Sequence, residues 1–500
     1  MTDILFGQSY YLRFDPKLWR AMQPYPPLGT LYAASLMRQQ GYQVALFDAM
    51  LAESTDEWDA ALKQVQPRFA VLFEDNFNYL SKMSLLRMRE AAFRMIKAAK
   101  EQGCMVLVGG ADMTDHADLY LQSGADYVLL GEGDESLVEL MQYLNRQGTE
   151  NIEKENIRSI AYLENGAVVK TLPRPVLKDL DALPFPAWDL VDREKYKQIW
   201  LEHHGYFSMN LVTTRGCPFH CNWCAKPIWG QRYNMRSPQN VVAEILWLKR
   251  EFNPDHIWFM DDIMGINDRW IEDFADELKK HNLRIPFKSL NRADLLLRGN
   301  TIPALASAGA QIIWIGAESG SQKILDAMDK GTQIEQIYEA ARKLHQHGIK
   351  VAFFLQFGYP GETREDIEKT LQMVRDLMPD DIGISVSYPL PGTKFYERVK
   401  LELGERENWL DSADLAMLYK GPYRTEFYRQ LHTVVHKDYR SRKTWRELGT
   451  LLRRPTPSNL RQIASMIYHR LTLPLALNKL DELAQLPHEP TRLPNVVLSE

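Results

Sequence analysis

Along residues 1–146 the hydrophobic positions follow two alternating patterns. Short continuous apolar runs (DILF, QVALF, FAVLF, MVLVGG and DYVLLGEG) are separated by stretches with apolar residues at helical spacing, such as GTLYAASLMRQQG, AAFRMIKAAKEQG and ESLVELMQYL. Strands apolar on both faces belong in a parallel sheet covered on both sides. The stretch therefore predicts a doubly wound, flavodoxin-like α/β unit of about five strands.

Residues 147–204 predict a connector. Within it, SIAYLENGAVVKTL sets Asn165-Gly166 between two strand-like runs, and a tight hairpin turn needs positive φ at both central positions. RPVLKDLDALPFPAWDL, with Pro184 and Pro186, reads as an extended strap. From 205 to 404 the alternation resumes at longer spacing, with strands predicted at NLVTT, HIWFM, PFKSL, QIIWIGA, KVAFFLQF and IGISVSY. Ser237 and Pro238 start one intervening helix, and TQIE (Thr332–Glu335) and TRED (Thr363–Asp366) predict capping boxes on two others. Six such units make a partial (β/α)6 barrel, with chemistry at the carboxyl ends of its strands. Residues 405–500 predict a mainly helical region in which Arg440, Arg442, Lys443, Arg446, Arg453, Arg454, Arg461, Arg470 and Lys479 form a basic tail.

A chain of 500 residues is too long for one core. Its 65 acidic and 60 basic residues give a net charge of −5, which argues against nucleic acid as the main partner. No leader pattern and no apolar run approaching ~18 residues is present, so a cytoplasmic protein is expected. Of only four cysteines, Cys217, Cys221 and Cys224 crowd into TTRGCPFHCNWCAK, just past the first barrel strand. Such clustering suggests metal ligands rather than a disulfide framework. A structural zinc site would need a fourth ligand, whereas three thiolates suffice for a [4Fe-4S] cluster with one iron open to substrate. Cys104, ahead of the strand MVLVGG, is expected to be a core thiol, and His116 a surface residue at a helix start.

The spacing C-x-x-x-C-x-x-C, with Trp223 just before the last cysteine, resembles the signature of the radical S-adenosylmethionine (SAM) superfamily. That resemblance implies that SAM chelates the open iron and is cleaved to methionine and a 5′-deoxyadenosyl radical. It also implies SAM contacts at Trp223, at Met260, Asp261 and Asp262 in WFMDDI, at Arg292 in LNRADL, at Glu318 and Ser319 in WIGAESGS, and at Gly358 in FGYPGET. In the N-terminal unit, Gly109 and Gly110 follow one strand and Gly131, Glu132 and Gly133 the next. By sequence alone these suit a nucleotide, flavin or cobalamin, or simply tight turns. With the proline strap and the barrel, the arrangement resembles the cobalamin-binding radical SAM family, a group that includes class B methyltransferases and the anaerobic magnesium-protoporphyrin cyclase. No Asp-x-His-x-x-Gly string is present to ligate cobalt from below.

The resemblance implies methylation of an unactivated carbon. An oxidative cyclisation without net methylation is the runner-up, and a cobalamin and cluster sensor without turnover is a third reading. The implied partners are a small-molecule substrate and an electron donor such as flavodoxin or ferredoxin. The basic tail, interleaved with LGTLL, IASMIYHRL and LPLAL, adds an expected contact with an anionic membrane surface.

Overall fold

The computed structural model describes residues 2–145, 153–224, 228–404, 407–453 and 456–486. Lys226 of the cysteine stretch and Arg454 of the basic tail lie outside them. The first sheet contains β1 (Ile4–Gly7), β2 (Val44–Leu46), β3 (Phe69–Phe73), β4 (Met105–Gly109), β5 (Tyr127–Leu129), β6 (Ile160–Glu164) and β7 (Ala167–Lys170). Its order is β2-β1-β3-β4-β5-β6-β7, with the first five strands parallel and the last two antiparallel. The parallel part is flavodoxin-like, as the apolar runs predict. The hairpin at Asn165-Gly166 forms, with φ of +50° and +80° at the two turn residues. It extends the first sheet through β6 rather than standing apart in a connector, because β6 is buried over its first three residues and pairs with the edge strand β5.

After the strap come β8 (Ser208–Leu211), the small ribbon β9 (Thr214–Arg215) and β10 (Asn234–Met235), then β11 (His256–Phe259), β12 (Phe287–Asn291), β13 (Ala310–Glu318), β14 (Lys350–Phe357) and β15 (Asp381–Val386). The second sheet is wholly parallel, in the order β15-β14-β13-β12-β11-β8. All six strands expected of a partial barrel are present. Along β11 to β15 one set of alternate side chains is buried under the covering helices, while several of the other set, among them Trp258, Lys288, Leu290, Trp314 and Phe354, stay part-exposed on the inner face. Ser237 caps its helix by accepting from the Asn240 N–H at 3.1 Å, and Thr363 and Asp366 form their box. The other box sits one residue later than predicted, on Gln333 and Gln336. Thr332 is unavailable as a cap because its hydroxyl accepts from Arg292 Nη2 at 3.1 Å.

The chain ends in two long helices, Thr425–Arg453 and Pro457–Ala484. They run antiparallel, with Gln430 bonded to the Ala476 carbonyl and Lys437 to Thr472. Between barrel and helices, residues 407–424 touch both units. Asn408 bridges Arg89 and Tyr388, Trp409 stacks on Tyr388 at 4.3 Å, Ser412 bonds Asp15, and Tyr419 donates to the Gly358 carbonyl. No helix among the described residues is long and apolar enough to cross a membrane.

What positions the site is the contact between the two sheets. One apolar core runs continuously from Tyr25, Leu28 and Leu31 of the first unit to Leu211, Phe259 and Phe287 of the second. Within this contact, Arg215 in the ribbon strand β9, just past β8, pairs with Glu132 and, at 2.8 Å, with Asp134, both just past β5. Its side chain is 5% exposed and lies near the rings of Tyr32 and Phe77. Lys82 from the first unit pairs with Asp262, just past β11, and Phe77 stacks on Trp229 at 5.0 Å. The carboxyl edges of the two sheets therefore face each other. Arg215→Met would strand two buried carboxylates and should lower stability by about 3–5 kcal/mol. Chemical denaturation checks this, and an unchanged midpoint would contradict the assignment.

Candidate functional site

The cysteine loop leaves β9 through Gly216, whose φ of +84° favours glycine. A Cβ there would stand 2.4 Å from the Arg232 carbonyl oxygen, so the loop closes tightly on itself just before Cys217. Cys217, Cys221 and Cys224 are unbridged and partly exposed. Among the described residues no three His, Cys, Asp or Glu side chains are already gathered as a metal cage. A cage of this kind is completed by the group it binds, because thiolates repel one another until a metal neutralises them. The donor set nevertheless fits a cluster, being three accessible sulfurs on one loop with cations beside them. Arg292 Nη1 lies 3.9 Å from Cys221 Sγ, and Arg292 stacks 3.7 Å over Phe219.

The strand ends of the half-barrel surround this loop. Arg292, past β12, is fixed by Asp294 (2.9 Å), the Lys330 carbonyl (2.7 Å) and Thr332. Glu318, at the end of β13, sits after a register shift with φ of +57° and accepts from Lys330 Nζ at 2.7 Å. Ser319 is buried and bonds Thr370 at 3.2 Å. Gly358, past β14, donates its N–H to Glu362 at 2.7 Å, and a side chain there would press on Met417. Burial pushes Glu362 up to about 8. Trp223 packs against the core with its indole N–H unpartnered.

At the end of β11 three adjacent residues have different uses. The Met260 N–H donates to the Leu211 carbonyl, tying β11 to β8. Asp261 is buried and accepts from the Thr213 N–H and hydroxyl and from the Thr214 N–H, at 2.6–2.9 Å. Its carboxylate thus holds the chain entering the cysteine loop. Asp262 is engaged by Lys82.

In the first unit the topological switch point, where ligands sit in open α/β sheets, falls between β1 and β3. There Gln8 Nε2, Glu74 Oε2 and Asn76 Oδ1 are buried without partners, while the other Glu74 oxygen accepts the Ser9 N–H at 2.9 Å. Close by, a Cβ on Gly29 would meet the Glu74 carbonyl at 2.9 Å and one on Gly110 the Glu74 side chain at 2.7 Å. Asp75 accepts the Gly29 N–H at 3.0 Å, at the start of the helix Leu28–Gln39. Unsatisfied buried amide and carboxyl groups in a glycine-lined crevice fit a large ligand rich in amides, which cobalamin is.

Of the glycines named from sequence, Gly110 abuts Glu74, and the others have packing duties. Gly109 leaves room for Leu129, Gly133 for the Phe73 ring, and Gly131 donates its N–H to Thr114. Glu132 accepts from the Leu177 N–H at 2.7 Å and pairs with Arg215. Sequence reasoning passed over Gln8, Glu74, Asn76, Lys82, Arg215 and Lys330. FEDNF, an acidic break right after an apolar strand, was the available signal for Glu74. Cys104 is buried and donates to the Pro67 carbonyl, as a core thiol. His116 is not the surface residue expected. It is part-buried between two short helices, with Nε2 enclosed, because Asp112 and Tyr120 draw that turn inward.

The comparisons agree with this architecture. Residues 211–374 match the Radical SAM superfamily and residues 20–141 the B12 binding domain. The chain is 28% identical over 379 residues to an uncharacterized methyltransferase of Pyrococcus horikoshii, covering 74% of this chain and 78% of that one. It is 27% identical over 397 residues to the anaerobic magnesium-protoporphyrin IX monomethyl ester cyclase of Rubrivivax gelatinosus, covering 77% and 68%. The solved structure of OxsB, a cobalamin-dependent SAM radical enzyme, superposes with a TM-score of 0.70 at 17% identity, over 96% of this chain and 72% of that one. The protein combines a cobalamin-binding domain with a radical SAM half-barrel. It belongs to the cobalamin-dependent radical SAM enzymes, whose cofactors are a [4Fe-4S] cluster, SAM and cobalamin and which need a reductant and a small-molecule substrate.

Burial raises Glu74 from 4.5 to about 7, with the Ser9 bond opposing it. The folded chain therefore keeps Glu74 protonated where an unfolded carboxyl has ionised, and stability falls as pH rises between those values. Glu74→Gln should flatten that fall. Thermal melting of both chains from pH 5 to 8 checks it, and curves that stay parallel would contradict the assignment.

Proposed function

We propose that this enzyme is a C-methyltransferase acting on an unactivated carbon of a small molecule of natural-product or lipid type. The observation that supports this most is the opposition of the two carboxyl edges, joined by Arg215 and Lys82, which turns the cysteine loop toward the Gln8, Glu74 and Asn76 crevice. When bound, the cluster supplies the electron that cleaves SAM to a 5′-deoxyadenosyl radical, and cobalamin carries the methyl group. The chain supplies position and charge. Cys217, Cys221 and Cys224 hold the cluster, and Arg292 offers a guanidinium to the SAM carboxylate. Glu318 and Ser319 face its polar groups, Met260 offers backbone, and Gly358 keeps space open at the fifth strand end. Asp261 and Asp262 act by holding the Thr213–Thr214 turn and the Lys82 bridge. Gly109, Gly110, Gly131, Glu132 and Gly133 shape the wall of the cobalamin crevice.

A second reading, oxidative cyclisation without net methylation, draws on the Rubrivivax relative. Anaerobic incubation of cobalamin-loaded protein with methyl-labelled SAM, a flavodoxin reductant and cell extract separates the two. Label is expected first on cobalamin and then in an extract compound. Label confined to SAM and methionine, with 5′-deoxyadenosine formed, would favour cyclisation, and no 5′-deoxyadenosine from an intact cluster would sink both.

The tail supports contact with an anionic bilayer surface. Leu460, Ile467, Leu471 and Leu475 form one outward row on the last helix, each at least half exposed, with Tyr468 and Trp445 nearby. Exposed Arg446, Arg453, Arg461, Arg470 and Lys479 accompany them. Sedimentation with phosphatidylglycerol vesicles, but not phosphatidylcholine vesicles, is expected. A Leu471→Asp, Leu475→Asp variant should lose it, and equal binding by that variant would rule the row out.

A further inference from the structure

The half-barrel has an inner face that the helices do not cover. Trp258, Lys288, Leu290 and Trp314 are part-exposed there and Phe354 is 40% exposed, whereas their neighbours Ile257, Phe287, Ile313 and Phe353 are fully buried on the other side. The sheet register assembles them. Trp258 lies opposite Lys288, Leu290 opposite Trp314, and Phe354 opposite Gly383. Trp314 and Phe354 stack with centroids 4.5 Å apart. Gly383 makes room, since a Cβ there would stand 3.0 Å from the Phe354 ring. The surface is aromatic, aliphatic and concave.

Lys288 is the cation on this surface. Its ammonium lies 4.1 Å from the Trp258 ring centroid and 5.3 Å from that of Tyr25, which is itself held by Ser208 at 3.0 Å. Among the described residues no carboxylate lies within 4.0 Å of it and no hydrogen bond satisfies it, and the buried Trp258 indole N–H also lacks an acceptor. Burial pushes Lys288 down to about 8, with Asp381 opposing. Two ring faces compensate a part-buried ammonium only in part. An anion with an apolar body would satisfy Lys288 and cover the exposed rings. Arg292 follows the end of β12 four residues after Lys288, about 13 Å further along the extended chain. A molecule anchored at Lys288 would extend toward the cysteine loop that Arg292 touches.

We propose that this face binds an elongated apolar substrate bearing one terminal anionic group, carboxylate or phosphate, and that Lys288 holds that group. The proposal rests on the radical SAM reading, because it supplies the molecule on which the radical acts.

Binding to the full-length protein tests it without turnover. cis-Parinaric acid represents a chain and 1-pyrenebutyric acid a ring, each compared with its methyl ester by quenching of tryptophan fluorescence. At least one acid should bind ten-fold or more tightly than its ester, and the pair that discriminates tells chain from ring. Lys288→Met should bring that acid to the level of its ester, and Lys288→Arg should keep the preference. The proposal is overturned if the wild type does not prefer either acid, if neither probe binds, or if the preference survives in a folded Lys288→Met or Lys288→Gln. 5′-Deoxyadenosine formation by the wild type reports separately on the radical SAM reading. Turnover without acid preference sinks only the role of Lys288, and acid preference without turnover sinks only the catalytic reading.

Discussion

The structure depends on one buried cation. Arg215, in the ribbon two residues before the first cluster cysteine, lands on Glu132 and Asp134 just past β5 of the first sheet. A buried ion pair adds little net stability over a well-packed apolar contact, but it tolerates few geometries. The joint therefore trades strength for registry. It fixes which loop of one domain faces which crevice of the other, and the apolar core around Tyr32, Phe77 and Trp229 supplies the cohesion that the charges do not.

That registry explains why residues expected to touch cofactors are often occupied with each other. Asp261 spends its carboxylate on Thr213 and Thr214, Asp262 on Lys82, and Glu132 on Arg215. They build the walls of the site, whereas Arg292, Gln8, Glu74 and Asn76 keep donors or acceptors turned toward it or unsatisfied. An enzyme that leaves bond-breaking to its cofactors needs walls more than reactive side chains.

Much of this was legible in the sequence because it is local. FAVLF is apolar on both faces, as a strand of a covered parallel sheet must be, Asn165-Gly166 between two strand-like runs signals a tight hairpin, and three cysteines in eight positions point to metal ligands. Long-range pairings were not legible. Nothing in TTRGC announces that Arg215 meets Glu132, 83 residues away. The capping box slid to Gln333 because Thr332 was claimed by Arg292, forty residues distant. Strand order, which apolar runs do not encode, sets the topological switch point between β1 and β3 and brings Gln8, Glu74 and Asn76 to it.

The segment 407–424 reaches both units and follows both in the chain. During synthesis the two sheets emerge before it does, since domains fold from the N-terminus as the chain is made. Of the contacts between the two units, those made by residues 407–424 are therefore the last that the growing chain can add.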